Sequence, residues 1–295
     1  MRVSLSPIPY FWDLETVRRF YKDIANLPVD IVYLGETVCA KRRAVQLDDW
    51  LDIAQGLAAA GKEVVLSTLA LLEAESELAA LRHITANGRY AVEANDMAAV
   101  QLLAGTSDFV IGPHINIYND KSLAYLNKLG ARRWVIPAEL RQATLAQILP
   151  QRPQELETEI IGFGRLALAH SARCFSARAH NLAKDECGFT CGAHADGLLL
   201  ETQDDASFLI INGIQIQSAK AQNLIGYFVE LSNSGIDIFR IIPRQQDMTD
   251  TINLIRQVLD KTVTPALAAA QLGGQQPYGY CDGYYHGRDG MGWYL

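Results

Sequence analysis

Strand-like and helix-like segments alternate along most of this 295-residue chain. Short runs rich in β-branched and aromatic residues predict eight strands, at residues 2–6, 30–35, 63–68, 90–94, 108–112, 133–137, 158–164 and 236–242. The stretches between them carry apolar residues at helical spacing, as Val17, Tyr21 and Ile24 do in LETVRRFYKDIANL. Gly61 and Gly130 fit the ends of two further helices. This alternation predicts βα units around a mostly parallel sheet.

Eight strands with few hairpin signals favour an α/β fold of the (β/α)8 TIM-barrel type, complete or incomplete. A doubly wound open sheet is the alternative. We expect one barrel-like domain over residues 1–295. The alternation stops after residue 164, so residues 165–235 are predicted to be an elaboration after the seventh strand. Within it, FLIINGIQIQS (208–218) predicts two strands joined at Asn212 and Gly213.

Composition limits the class of protein. The formal net charge of -7 argues against general nucleic-acid binding, which usually requires a basic excess. No apolar run approaches the ~20 residues that a transmembrane helix needs, and the N-terminus does not resemble a secretory signal. We therefore expect a cytoplasmic protein with reduced thiols. Five cysteines, an odd number, favour a metal site or catalytic thiols over a disulfide framework.

Three of the five cysteines lie in one segment, SARCFSARAHNLAKDECGFTCG (171–192). Their spacing matches neither the ferredoxin patterns nor the paired motif of most zinc ribbons. Cys39 follows a predicted strand, as Cys174 does, so a parallel barrel would bring both to its carboxyl end. This predicts a four-cysteine metal site, with iron–sulfur and zinc both open. Its ligands would be Cys39, Cys174, Cys187 and Cys191.

Basic residues lie close to these cysteines in sequence, and the fifth cysteine stands apart from them. Arg42, Arg43, Arg173 and Arg178 would offset the charge of an anionic cluster. Cys281 is interpreted as a small buried structural residue.

Several segments together resemble the UbiV group of the collagenase-like peptidase family, whose catalytic type was never assigned. They are YLGETVCAKRR, LSTLAL, SARCFSAR followed by KDEC and a further cysteine, and FLIINGIQIQS. The similarity extends over essentially the whole chain, although the tail CDGYYHGRDGMGWYL is longer than the family's usual ending. The resemblance implies a barrel-like fold and a 4Fe-4S cluster held by the same four cysteines.

The resemblance also implies a role in oxygen-independent ubiquinone biosynthesis. The chain would form a heterodimer with a UbiU-like partner subunit that carries its own cluster. The pair would hydroxylate the aromatic ring of a quinone precursor, with prephenate as oxygen donor and a lipid-binding accessory protein presenting the substrate. The alternatives are a non-catalytic stabilising subunit with a structural cluster, a zinc-bound protein, and a peptidase of the same family.

Polar residues at predicted strand ends suggest a pocket at the barrel rim. The candidates are Glu36, Glu93, His114, Asn116, Glu139 and Arg173. His114 and Asn116 are the strongest pair, and Glu93 is expected to project into the barrel. A peptidase would instead need Cys174 activated by a histidine, for which His170 and His180 are the nearest in sequence.

One further motif, GFGRLA (162–167), fits a dinucleotide-binding fingerprint. Its glycines are interpreted instead as sites of close backbone approach at the barrel mouth.

Overall fold

The computed structural model describes residues 1–245, 248–272 and 276–295. The strands within them are β1 (Arg2–Leu5), β2 (Ile31–Leu34), β3 (Glu63–Ser67), β4 (Ala91–Ala94), β5 (Phe109–Ile111), β6 (Ala131–Val135), β7 (Glu157–His170), β8 (Leu198–Glu201), β9 (Ser207–Asn212), β10 (Gln215–Asn223), β11 (Ile238–Ile241) and β12 (Tyr280–Cys281). The helices are α1 (Leu14–Ile24), α2 (Leu47–Ala59), α3 (Glu75–Thr85), α4 (Met97–Leu103), α5 (Asp120–Lys128), α6 (Gln142–Ile148), α7 (Phe175–Ala179), α8 (Phe228–Asn233), α9 (Thr249–Leu259) and α10 (Pro265–Leu272).

Eight parallel strands of the described chain close into a barrel. Strands β1 to β7 pair in sequence order, and β11 pairs in parallel with both β1 and β7. Arg240 of β11 lies opposite Ser4 on one side and Ile161 on the other. The predicted TIM-barrel-like fold is confirmed, with all eight strands at the expected places. The open-sheet alternative is wrong, because the ring has no free edge between β7 and β1.

Local sequence signals explain how the barrel helices begin and end. Helix α1 begins after Asp13, whose carboxylate accepts a 2.8 Å hydrogen bond from the Thr16 amide. Asn119 caps α5 in the same way through the Ser122 amide. Gly61 and Gly130, with φ of +83° and +115°, follow α2 and α5 in the backbone region that glycine adopts most easily.

Additional strands lie outside the ring. β7 continues to His170, well beyond the predicted end at 164, and pairs there with β10 in antiparallel fashion. β10 pairs with β9, and β9 with β8, so these strands extend the sheet past the carboxyl end of the barrel. The predicted strand pair around Asn212 and Gly213 is confirmed, with Gly213 at φ +67° in the turn. β12, in the aromatic tail, pairs with β10.

The glycines of GFGRLA lie inside β7 and not at a strand-to-helix turn. A Cβ atom at Gly162 would lie 2.1 Å from Cε2 of Phe239, and one at Gly164 would lie 2.7 Å from Cβ of Ile242. The motif therefore serves close packing of β7 against β11, because a dinucleotide fingerprint requires the strand to end there.

Alternation along the strands separates two interiors. Val3 and Leu5 of β1 face the large apolar core between barrel and helices, whereas Ser4 faces the barrel axis. The barrel interior contains apolar residues such as Tyr33 and Val65 and a network of buried charges around Arg240. In the described parts of the chain, no helix combines the length and apolarity needed to cross a bilayer.

Candidate functional site

Cys39 lies in a loop directly after β2. The Glu36 carboxylate fixes this loop by accepting hydrogen bonds from the amides of Val38 (2.8 Å) and Cys39 (3.0 Å). The Arg42 amide donates to the Cys39 carbonyl at 3.0 Å. Burial raises the pKa of Glu36, and the Arg42 guanidinium, 3.8 Å away, opposes that shift. Short-range hydrogen bonds therefore set the position of the first cysteine.

Cys174 precedes α7, just past the end of β7. Its Sγ accepts a 3.4 Å hydrogen bond from the Ala177 amide, and the Phe175 amide donates to the Gly213 carbonyl at 2.8 Å. The turn between β9 and β10 therefore supports the cysteine from outside the barrel.

Cys187 and Cys191 flank a tight turn. Gly188 and Phe189 both adopt left-handed backbone angles, with φ of +54° and +55°. Only glycine adopts this region without cost, so Phe189 marks local backbone strain between the two cysteines.

The four cysteines proposed as ligands meet at one corner of the carboxyl end. Cys174 is buried in an apolar cluster with Val38, Ala177 and Ile214, and Cys39 and Cys187 pack against that cluster. Burial raises the pKa of the Cys191 thiol, and the nearby Cys174 and Cys187 thiols add to that rise.

Cys281 lies elsewhere, on β12, where its Sγ is 3.8 Å from the Lys220 carbonyl oxygen. Burial raises the pKa of the Cys281 thiol to about 12. All five cysteines are free thiols.

Arg42 provides the positive charge inside this corner. Its side chain is about 1% exposed, and it opposes the rise in pKa that burial causes at the Cys39 and Cys191 thiols. Arg43, Arg173 and Arg178, which were also expected to offset cluster charge, are exposed to solvent.

Hydrogen bonds and ion pairs attach the cysteine segment (171–192) to the barrel. Lys41 Nζ donates to the Lys184 carbonyl at 3.0 Å and pairs with Asp185. Lys184 Nζ donates to the carboxylate of Glu73, in the loop between β3 and α3. Further along, the Trp12 indole donates to the Ala195 carbonyl at 3.0 Å. Both the Cys39 loop and the loop between β1 and α1 (the N-terminal loop) thus hold the segment that carries Cys187 and Cys191.

The donor chemistry of the corner suits a thiolate-bound group. Among the described residues, no three His, Cys, Asp or Glu side chains are gathered around one point as a single metal ion requires. Arg42 Nε and Thr190 Oγ1 are buried without a hydrogen-bond partner in the described residues. Such atoms fit a bound group with acceptor sulfurs.

In the described part of the chain, the residues predicted to line one pocket lie in different places. Glu36 belongs to the Cys39 loop, Glu93 points into the barrel, and Glu139 and Arg173 are exposed. Glu139 accepts a hydrogen bond from the Tyr118 hydroxyl.

His114 and Asn116 do lie together, in a half-open cavity of about 610 Å³. This cavity lies at the ends of β4 and β5 and is otherwise lined by residues such as Asn95, Met97 and Tyr125.

His114 contacts His170 edge to face, with ring centroids 4.7 Å apart. Burial lowers the pKa of His114 to about 3 and that of His170 to about 4, so both rings are neutral at neutral pH. The Gln215 side-chain amide lies 3.1 Å from His170 Nε2. Sequence spacing did not place His170 beside His114, because the contact depends on the extension of β7.

Neither histidine considered for a peptidase reaches Cys174 in the described structure. His180 Nδ1 lies 2.9 Å from the Ser176 carbonyl oxygen, and His170 faces Gln215 and His114. A cysteine nucleophile activated by either histidine is therefore not assembled.

A second cavity, of about 340 Å³, lies behind the Cys39 loop between α2 and α3. Trp50, Leu69 and Ile84 line its apolar part, and Glu36 and Arg42 lie on its wall. No local pattern in the sequence indicates this cavity, because its lining comes from two helices and two strand ends.

The chain matches a known protein family over nearly its whole length. The profile of peptidase family U32 matches residues 12–294. Among solved structures, the U32 peptidase Mk0906 aligns with 82% of this chain and 93% of its own, at 13% identity and a TM-score of 0.46. An uncharacterized B. cereus protein aligns with 85% of this chain and 63% of its own, at 11% identity and a TM-score of 0.35. Wild-type HPPK-DHPS of Plasmodium falciparum aligns with 89% and 47%, at 11% identity and a TM-score of 0.41.

Proposed function

The chain belongs to peptidase family U32, and from that premise we propose that it is the 4Fe-4S subunit of a UbiU–UbiV-type heterodimer. This pair would hydroxylate the aromatic ring of a ubiquinone precursor without O2. The observation that carries the proposal is the meeting of Cys39 with Cys174, Cys187 and Cys191. They come from loops after β2 and β7, more than a hundred residues apart in sequence.

The surrounding residues have the properties that such a cluster needs. Thiolates are soft ligands, and four of them make a 4Fe-4S cluster anionic, so a nearby buried cation is favourable. Arg42 supplies that cation, while Glu36 holds the backbone of the Cys39 loop. When bound, the cluster supplies one-electron transfer. The protein residues position its ligands and limit its contact with water.

The cavity behind the Cys39 loop is the proposed place for the aromatic substrate. Its apolar lining around Trp50 and Ile84 suits a ring, and the wall formed by Glu36 and Arg42 gives it a polar side next to the cysteines. Prephenate as oxygen donor, a UbiU-like partner and a lipid-binding accessory protein complete the proposal from the resemblance of the sequence. Peptidase activity is disfavoured because, in the described residues, His180 and His170 make their hydrogen bonds with Ser176 and Gln215 and not with Cys174.

Metal analysis of anaerobically purified chain tests this function. The expected result is a brown protein that contains iron and acid-labile sulfide in equal amounts. A colourless protein that contains zinc and no sulfide would overturn the iron–sulfur assignment.

A second candidate function is that of a stabilising subunit with a structural cluster. The cysteines join the elaboration to the barrel, which favours this candidate. Cys187→Ala separates the two roles. A heterodimer that assembles but no longer hydroxylates supports the redox role, whereas failure of the chain to fold supports the structural one.

A further inference from the structure

Arg42 lies where three separate parts of the chain meet. Its Nη1 donates to the Pro9 carbonyl at 2.8 Å, and its Nη2 donates to Asn212 Oδ1 at 2.7 Å. Asn212 itself donates to the same Pro9 carbonyl at 2.7 Å. The guanidinium is thus held by the N-terminal loop and by the turn between β9 and β10, while its own backbone belongs to the Cys39 loop.

The orientation of this guanidinium is narrowly fixed. A Cβ atom at Gly213 would lie 2.9 Å from Nη2, so the turn leaves space for the arginine only because residue 213 is glycine. The Phe11 ring lies 5.9 Å from Cζ on another side. A long side chain that is held in this way loses its usual rotamer freedom on folding. Such a restrained side chain suits a role that depends on direction.

One donor of Arg42 has no acceptor among the described residues. Nε is buried and makes no hydrogen bond to the described residues. The Arg42 amide donates to the Cys39 carbonyl at 3.0 Å, and the guanidinium opposes the rise in pKa that burial causes at the Cys191 thiol. An unused, desolvated N–H costs free energy unless a bound group accepts from it. The neighbouring Arg43 carries the same charge but is exposed to solvent.

We infer that Arg42 is a positioning residue that sets the reduction potential of the cluster held by the four cysteines. The inference rests on the proposed function. Each added electron makes an anionic cluster more negative, so a fixed, buried positive charge favours the reduced form. Hydrogen bonds to cluster sulfurs act in the same direction. Removal of Arg42 would therefore lower the potential.

Redox titration of the full-length, anaerobically purified chain tests this role, with Arg42→Gln compared with Arg43→Gln. The two variants remove the same charge from adjacent positions. At a fixed applied potential, we expect Arg42→Gln to raise the oxidised-to-reduced ratio at least tenfold, which is about 59 mV for a one-electron couple. Arg43→Gln should leave the potential unchanged, since its charge lies in water.

The outcomes separate the two proposals. A wild-type chain without iron and sulfide overturns both. If the wild-type chain contains the cluster but Arg42→Gln and Arg43→Gln have the same reduction potential, only the role of Arg42 is overturned. If Arg42→Gln loses its cluster or does not fold, Arg42→Met provides the measurement, because it removes the charge and keeps an unbranched side chain in the same space. A lowered potential in Arg42→Met supports the inference, whereas a wild-type potential or a potential equal to that of Arg43→Gln contradicts it.

Discussion

Arg240 donates a 2.7 Å hydrogen bond from Nη1 to Glu93 Oε1 at the centre of the barrel, where each side chain is about 1% exposed. Its Nε donates to Glu159, also at 2.7 Å, so one cation serves two buried carboxylates. The guanidinium lies over the Tyr33 ring, 3.9 Å from its centroid. Barrels of this type usually fill their interior with branched apolar residues. Here a charge network occupies part of that space.

Arg240→Met should strongly destabilise the protein. The substitution leaves Glu93 and Glu159 buried without their shared cation, and breaking a buried ion pair on one side typically costs about 3–5 kcal/mol. Urea unfolding measures the loss. Arg132→Met is the control, because Arg132 is on the barrel surface with half its side chain exposed, and we expect a change within about 0.5 kcal/mol. Equal losses in the two variants would contradict the role of the buried network.

Stability should fall as the pH drops below 6.5, partly because of His114 and His170. Their pKa values are about 3 and about 4 in the folded protein, against 6.5 for an unperturbed histidine. Between these values the unfolded chain binds protons that the folded chain does not, so acid favours unfolding. Each histidine contributes a slope of up to about 1.4 kcal/mol per pH unit. The stability that depends on each histidine being neutral is therefore fully present only above pH 6.5.

Urea unfolding at pH 7, 6 and 5 checks this expectation. His114→Gln should flatten the dependence, whereas His83→Gln, which changes an exposed histidine on α3, should not. A wild-type protein whose stability is unchanged from pH 7 to pH 5 would show that the two rings are not buried as neutral groups.

Two glycine-to-alanine substitutions should change the stability of the protein in opposite directions. Gly162→Ala places a methyl group 2.1 Å from the Phe239 ring inside packed strands, which should cost at least about 1–3 kcal/mol. Gly56→Ala, in α2, places its methyl group more than 4 Å from any described residue outside that stretch of helix, and it should stabilise the protein by about 0.4–1 kcal/mol. Thermal unfolding compares the two. If Gly162→Ala had the same thermal stability as the wild type, β7 and β11 would be able to move apart without a cost in free energy.

Cysteine-to-alanine variants should fall into two classes. Alanine at Cys39, Cys174, Cys187 or Cys191 removes a proposed ligand, and each variant should retain less than about a tenth of the wild-type iron. Cys281→Ala is the matched control, because this thiol is buried on β12 away from the other four. It should keep its iron and lose about 1 kcal/mol of stability. Loss of iron in Cys281→Ala alone would refute the ligand assignment.

The order of strands and helices could be predicted because each depends on local patterning. Eight strand positions and the turn at Asn212 and Gly213 follow from short apolar runs and turn residues. The length of β7 could not be predicted in this way. Its last residues are strand because β10, some fifty residues later, pairs with them. Pairing of this kind depends on distant residues and leaves no local periodicity.

The predicted pocket failed to form as a unit for a related reason. Position near a strand end does not determine which way a side chain points. Glu93 turns inward to Arg240, while Glu139 faces solvent and His114 faces His170. Those directions depend on strand tilt and on the elaboration that covers the barrel mouth.

The sequence by itself determined the barrel class and singled out the four cysteines proposed as ligands. Both depend on local features, namely the alternation of strands with helices and the chemistry of individual residues. It also indicated that Cys39 and Cys174 would meet, since parallel strands bring their carboxyl ends to one side. Only the tertiary structure distinguished Arg42 from its neighbour Arg43. Both residues carry the same charge in the sequence, but burial and two hydrogen bonds to distant residues fix the Arg42 guanidinium in the protein interior and leave that of Arg43 in water.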